Sequence, residues 1–200
     1  MMGKSIKGVL FDFDGTLTLP GALDFPAIKR EMNCPPGIAI LEYLETVPAE
    51  LKPSLARILE SKEEKAAEQS VPNVGAEKCL LTLRDKGVLL GIITRNSLQS
   101  VIRALEKFET FRLHDFAAVM TRDDALPKPH PHGVHKACER MGLAVSELMV
   151  VGDFRFDVMA GKAAGACTVL LTNGRPPLMA DGDPEPDYTV TSLEEILQLV

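Results

Sequence analysis

Residues 9–16, Val9-Leu10-Phe11-Asp12-Phe13-Asp14-Gly15-Thr16, constrain the fold of this chain more than any other segment. An apolar run reads as a buried strand, and it ends in two aspartates and a glycine turn. Carboxylates at i and i+2 on a strand start out on the same face. Unscreened, they repel, and one must stay protonated. A turn capped by aspartate explains Asp14 before Gly15, but not Asp12 inside the apolar run. A buried charge must be paired or bind a metal. A hard, oxygen-ligated cation such as Mg²⁺ suits two carboxylates.

The 200 residues suffice for one full core plus a small appendage. A formal net charge of -6 gives no electrostatic support to nucleic-acid binding. No apolar stretch reaches the ~20 residues of a membrane span. The apolar run after Lys4 and Lys7 flows into Asp12, so it reads as a strand and not a signal peptide. Cys34, Cys79, Cys138 and Cys167 are widely spaced, which points to free thiols in a reduced, cytoplasmic setting.

From residue 72 onward, strand and helix signals alternate. Ala76, Leu80 and Leu83 mark a helix ended by Gly87; Val88 to Ile93 is a strand. Leu98, Val101, Ile102 and Leu105 mark a helix capped by Asn96 or Ser97. Phe116 to Met120 is a short strand, Val134 to Met141 a helix stopped by Gly142. Leu148 to Val151 is a strand, Asp157 to Ala164 a helix, and Cys167 to Leu171 a strand. Tyr188 to Val190 leads into a terminal helix whose Ser192 and Glu195 fit a capping box. This alternation predicts an α/β fold: a Rossmann-like, doubly wound, mostly parallel sheet with helices on both faces.

Residues 20–72 break the pattern and hold no convincing strand. Ile28, Ile38, Ile40, Leu41, Leu44, Leu55, Ile58 and Leu59 sit at helical spacings, and Glu60 to Glu68 reads as a solvated face. The expected division is a core of residues 1–19 and 73–200 with an all-helical domain, 20–72, inserted after the first strand.

Ligands of an open parallel sheet collect at the carboxyl ends of its strands. There the sequence places Asp12 and Asp14, then Thr94-Arg95-Asn96, then Gly152-Asp153 with Asp157 four residues on. Lys128 lies between prolines on a stiff loop. Carboxylates for a metal, with hydroxyl and ammonium groups for an anion, describe a phosphoryl-transfer site. His130, His132 and His135 do not form a metal cluster, because prolines interrupt their spacing. Asp123 and Asp124 read as loop caps, and Phe13 as core.

Asp12-Phe13-Asp14-Gly15-Thr16, Ile93-Thr94-Arg95-Asn96, Lys128 and Gly152-Asp153 with Asp157 resemble, in order and spacing, the four motifs of the haloacid dehalogenase superfamily. The helical insert resembles the cap of its phosphoglycolate phosphatase-like branch. The resemblance implies an Mg²⁺-dependent phosphatase for a small phosphorylated metabolite. Asp12 is then the nucleophile and Asp14 the acid and base. Asp12, the Asp14 carbonyl and Asp153 hold the metal, with Asp157 behind them or beside Lys128. Thr94, with the amide after it, and Lys128 hold the phosphoryl group. Asn96 is a further candidate for phosphate, Arg95 for phosphate, substrate or only a surface carboxylate, and Lys29 and Arg30 for the substrate's second polar group or only a solvated helix face. Phe154 departs from the family, where a small polar residue often follows the aspartate. A phosphomutase on the same residues is the alternative, and a non-catalytic phosphate-binding module a more distant one. A monomer or weak homodimer is expected, with no nucleic-acid or membrane partner.

Overall fold

The computed structural model describes residues 5–200, so Lys4 lies outside the described residues. Six parallel strands form one sheet: β1 (Gly8–Phe11), β2 (Leu89–Ile93), β3 (Ala118–Met120), β4 (Leu148–Gly152), β5 (Cys167–Leu171) and β6 (Tyr188–Val190). Their spatial order is β3-β2-β1-β4-β5-β6. The chain moves outward from β1 through β2 to β3, then returns to β1's other side to lay down β4. Strand order therefore reverses between β1 and β4, the position where an open parallel sheet leaves a crevice. Phe11 aligns with Val151 there, so Asp12 and Asp153 emerge at neighbouring strand ends.

Both faces of the sheet are covered, as period-two alternation requires. Val9, Phe11, Met149 and Val151 face one cluster, with Leu80 and Leu83 of α4 (Ala76–Asp85) and Val101 and Leu105 of α5 (Leu98–Leu105). Leu10, Leu148 and Val150 face the other, with Val134 and Ala137 of α6 (His132–Met141) and Ala160 of α7 (Arg155–Ala164). The Ser97 hydroxyl caps α5 by accepting from the Ser100 amide, and Gly142 ends α6 in the left-handed conformation. The terminal segment, Leu193–Gln198, is a 3₁₀ helix and not an α-helix. Its Glu195 carboxylate accepts from the Ser192 amide, which secures the start of that turn.

Between β1 and α4 lie α1 (Phe25–Glu31), α2 (Ile40–Thr46) and α3 (Lys52–Gln69). Ile28, Met32, Cys34, Ile40 and Leu59 form a separate apolar cluster among them. Ile38, expected on a buried face, is exposed in the turn before α2. The charged run is not wholly solvated either. Glu63 is buried and paired with Arg122 from the loop after β3. The chain enters and leaves this helical segment side by side: Thr18 bridges Pro72, and the Leu19 amide donates to the Val71 carbonyl at 2.9 Å. No described helix is long and apolar enough to cross a membrane.

Helix α7, which starts beside Asp153 and Asp157, lies close against β4 and β5. A Cβ on Gly161 would stand 2.5 Å from Thr168 Cγ2 and 3.2 Å from Val150 Cβ. Both contacts are β-branched side chains in the sheet, with little room to yield. Gly161→Ala should therefore destabilise the fold by about 1–3 kcal/mol through overpacking. Urea denaturation checks this, and an unchanged midpoint would show that α7 can lift freely from the sheet.

Candidate active site

Asp12 does not end β1; the strand stops at Phe11, and a turn carries both aspartates. The expected same-face pair is thereby split. The Asp12 carboxylate accepts from Lys128 Nζ at 2.5 Å, whereas Asp14 Oδ2 accepts from Asn96 Nδ2 at 2.6 Å. Gly15, at φ +79°, makes the turn, and a Cβ there would stand 2.1 Å from Asp153 Oδ2. Only glycine combines that backbone with that approach. The loop is held from behind: Asn73 Nδ2 donates to the Thr16 carbonyl, and Asn173 Nδ2 to the Gly15 carbonyl, each at 2.8 Å.

Lys128 is fully desolvated, and its ammonium has three acceptors: Asp12, Asp157 Oδ1 at 2.6 Å and the Ile93 carbonyl at 3.0 Å. Desolvation alone would lower its pKa; the charges of Asp12 and Asp157 outweigh this and hold it above the usual lysine value. The second oxygen of Asp157 accepts from the Phe154 amide at the start of α7. That helix start also explains the glycine before Asp153, since a Cβ on Gly152 would stand 2.0 Å from Asp157 Cγ. Phe154 leaves the cluster through its side chain, packing edge-on to Phe156 with ring centroids 5.0 Å apart.

Thr94 is buried at the end of β2, and its hydroxyl accepts from the Asn96 amide at 3.1 Å. Two of the candidates have partners within the protein. Asn96, read as an anion ligand, spends its side-chain amide on Asp14. Arg95, read as a contact to phosphate, substrate or a surface carboxylate, forks onto Glu42 of α2, with Nη1 and Nη2 at 2.9 and 2.5 Å from its carboxylate oxygens. Arg30 is exposed in the last turn of α1, outside the hydrogen-bond network of the cluster, and Lys29 Nζ donates to the Pro36 carbonyl. Sequence reasoning missed Glu42, Glu63, Arg122, Asn73 and Asn173. Only Asn173 carried a usable signal, because it follows β5 at the same sheet edge. Of the histidines, the His130 and His132 rings accept hydrogen bonds from backbone amides of their own loop.

Asp12, Asp153 and Asp157 each offer a carboxylate oxygen within 4.8 Å of the others. Burial first, then the neighbouring Asp12 and Asp157 charges, push Asp153 up to about 8. Burial, with Asp12 and Glu63, pushes Asp14 up to about 7. Burial also raises Asp157, to about 6, against the pull of Lys128. An all-oxygen donor set with this excess of negative charge fits a hard divalent cation.

Residues 27–171 match the family model of haloacid dehalogenase-like hydrolases. The chain belongs to that family. The Saccharomyces cerevisiae hydrolase YOR131C is 32% identical over 202 residues, covering 98% of this chain and 92% of the relative. A phosphoglycolate phosphatase of Shigella boydii is 28% identical over 234 residues, covering 97% of this chain and 92% of that protein. The crystal structure of a hydrolase from Pseudomonas syringae has the same fold, with a TM-score of 0.77 at 21% identity over 97% of this chain and 99% of that one. The sequence motifs and the strand-end crevice thus lead to the same family.

The raised carboxylates set a pH dependence. An aspartate with a folded pKa above its unfolded value, near 4, binds its proton more tightly when folded. Its stabilising contribution is complete below about pH 4 and is lost as pH rises to the folded value. From Asp157, Asp14 and Asp153, that loss runs up to about pH 8 in metal-free protein. Mg²⁺ should therefore raise the Tm more at about pH 8 than at about pH 5, where it must displace protons. Thermal scans with and without Mg²⁺ at both pH values test this; an equal shift would show that the cation binds elsewhere.

Proposed function

We propose that this hydrolase is a phosphatase that removes the phosphoryl group from a small phosphorylated metabolite, with Mg²⁺ as cofactor. One observation supports this most directly: a buried ammonium bonded to Asp12 and Asp157, with Asp14 separately held by Asn96. The two aspartates of the first motif are thereby given different partners and different work. The name of the Shigella boydii relative also points to a phosphomonoester as substrate.

In this reading an Asp12 oxygen attacks phosphorus while the ester P–O bond breaks. Asp14, which burial keeps protonated near neutral pH, donates its proton to the departing oxygen. A water then attacks the aspartyl-phosphate, Asp14 takes its proton back, and inorganic phosphate leaves with Asp12 restored. Lys128 holds charge on Asp12 and on the phosphoryl oxygens, and Thr94 offers its hydroxyl to the same oxygens. Asp12, Asp153 and the Asp14 carbonyl would hold Mg²⁺. Asp157, with both oxygens already engaged, orients Lys128. When bound, the cation supplies positive charge against which an anionic nucleophile can meet a phosphate dianion. The helical segment 20–72 serves as a cap over this end of the sheet, and the bridge between Thr18 and Pro72 as its hinge. Four free cysteines accord with a cytoplasmic enzyme.

Asp12→Asn keeps the side chain's size but removes the nucleophile. It should reduce Mg²⁺-dependent release of phosphate from p-nitrophenyl phosphate by at least about a thousandfold with an unchanged fold. Activity within tenfold of wild type would end the covalent mechanism. Lys128→Met should lower kcat by about a hundredfold or more, as loss of a preorganised charge-stabilising donor does. It should also cost about 3–5 kcal/mol of stability in metal-free protein, because two buried carboxylates lose their partner. Steady-state kinetics and urea denaturation separate the two effects; normal turnover would make Lys128 structural only.

A further inference from the structure

Arg95 holds its guanidinium between groups that each stand one step from the reacting centre. Its own neighbours are Thr94 and Asn96. Its Nη1 donates to the backbone carbonyl of Lys128, and its Cζ lies 5.1 Å from the ring centroid of Phe156, next to Asp157. A guanidinium fixed on two sides presents its remaining edge as a rigid fork. In this structure the fork is filled by the Glu42 carboxylate from α2.

A second pair joins the same helical segment to the loop after β3, and the contrast is informative. Glu63 of α3 pairs with Arg122 and also accepts from the Ser97 amide. Its side chain is 2% exposed and that of Arg122 14%, so this pair is sealed. The Glu42 side chain is 42% exposed and that of Arg95 20%. A half-exposed ion pair contributes about 0–1 kcal/mol, so exchanging one carboxylate for another on Arg95 costs little. Breaking the sealed pair would strand a buried charge. Glu63–Arg122 is therefore the fixed joint, and Glu42–Arg95 the one that can open.

We propose that Arg95 selects phosphate monoesters carrying a carboxylate, and that Glu42 occupies the carboxylate's place until such a substrate displaces it. The proposal rests on the phosphatase reading and names its substrate class. Glu42 then lowers the apparent affinity for acidic substrates by the fraction of time it fills the fork. It also prevents Arg95 from holding a stray anion beside the cluster. Departure of Glu42 frees α2, so recognition of the correct ester and movement of the cap become one event.

The test compares matched esters that differ in the carboxylate: phosphoglycolate against ethyl phosphate, and 3-phosphoglycerate against glycerol 3-phosphate to allow for reach. The readout is the ratio of kcat/KM, acidic over neutral, within each pair. The wild-type ratio should exceed one. Arg95→Gln should lower it by about ten- to a hundredfold, the worth of a charge-assisted fork. Arg95→Lys, which keeps the charge and loses the fork, should fall between. Glu42→Gln should raise the ratio by about three- to tenfold. Ratios within twofold of wild type in both Arg95→Gln and Glu42→Gln would overturn the proposal and leave a structural clasp. The same ratios are measured as binding constants by calorimetry on Asp12→Asn with Mg²⁺. An enzyme silent toward every ester, p-nitrophenyl phosphate included, would sink the phosphatase reading, while the binding ratio still decides for or against Arg95. Equal binding of acidic and neutral esters to Asp12→Asn would overturn the Arg95 assignment.

Discussion

The ammonium of Lys128, shut away from water between Asp12 and Asp157, is the interaction on which the rest of the site depends. A buried lysine without partners would give up its proton, and buried carboxylates without a cation would take protons up. Each makes the other's charge tolerable. The arrangement demands three separate chain segments at one place: the end of β1, the start of α7 and the loop before α6. Only a sheet whose strand order reverses beside β1 brings the first two together, and the Ile93 carbonyl at the end of β2 completes the third contact. The topology and the ion pairs are thus two descriptions of one constraint.

One lysine does not balance the acids around it. Asp153 and Asp14 remain outside its hydrogen bonds, and burial first, then the neighbouring carboxylate charges, raises the pKa of both. Protein stability is not the quantity being maximised here. Replacing buried ion pairs with apolar side chains often stabilises a fold. Retaining an excess of carboxylates in a desolvated crevice makes sense where a cation and an anionic substrate are to be received together. The backbone accommodates this crowding through absent side chains: Gly15 leaves room for Asp153, and Gly152 for Asp157.

Much of this was legible in the sequence because it depends on local pattern. Strand β1 reads as a buried run, Ser97 and Gly142 announce helix ends, and aspartates at strand ends mark the crevice once the sheet is parallel. The side-chain partners were not legible, since they arise from contacts between distant segments. Asn96 and Arg95 look like anion ligands in sequence, yet one bonds Asp14 and the other Glu42, 53 residues away along the chain. Glu63 sits in a run of charged residues that period alone assigns to solvent. It is buried because Arg122, brought up by the loop after β3, offers it a partner. A helical charge pattern gives the face on which a residue lies, and cannot give the charge waiting opposite it.

That opposite charge follows a rule here. Glu42, Glu63 and Glu68, all from the helices between β1 and α4, meet Arg95, Arg122 and Arg103 from the sheet-bearing part of the chain. In each pair the acid comes from the inserted segment and the arginine from the remainder. The two sides would attract even at separations where packing gives nothing, because charge acts over about 8–10 Å in ordinary salt and dispersion only at contact. Attraction of this kind guides approach, while the partly exposed members of the set cost little to undo. The segment is held by one sealed pair and two more exposed ones, with Ala67 of α3 packed into the main core. Arg95, next to Thr94 in the chain, reaches both the insert, through Glu42, and the backbone carbonyl of Lys128. If Arg95 recognises substrate as proposed, closure and recognition share an arginine, and specificity is tied to the position of a helix and not to the shape of a pocket alone.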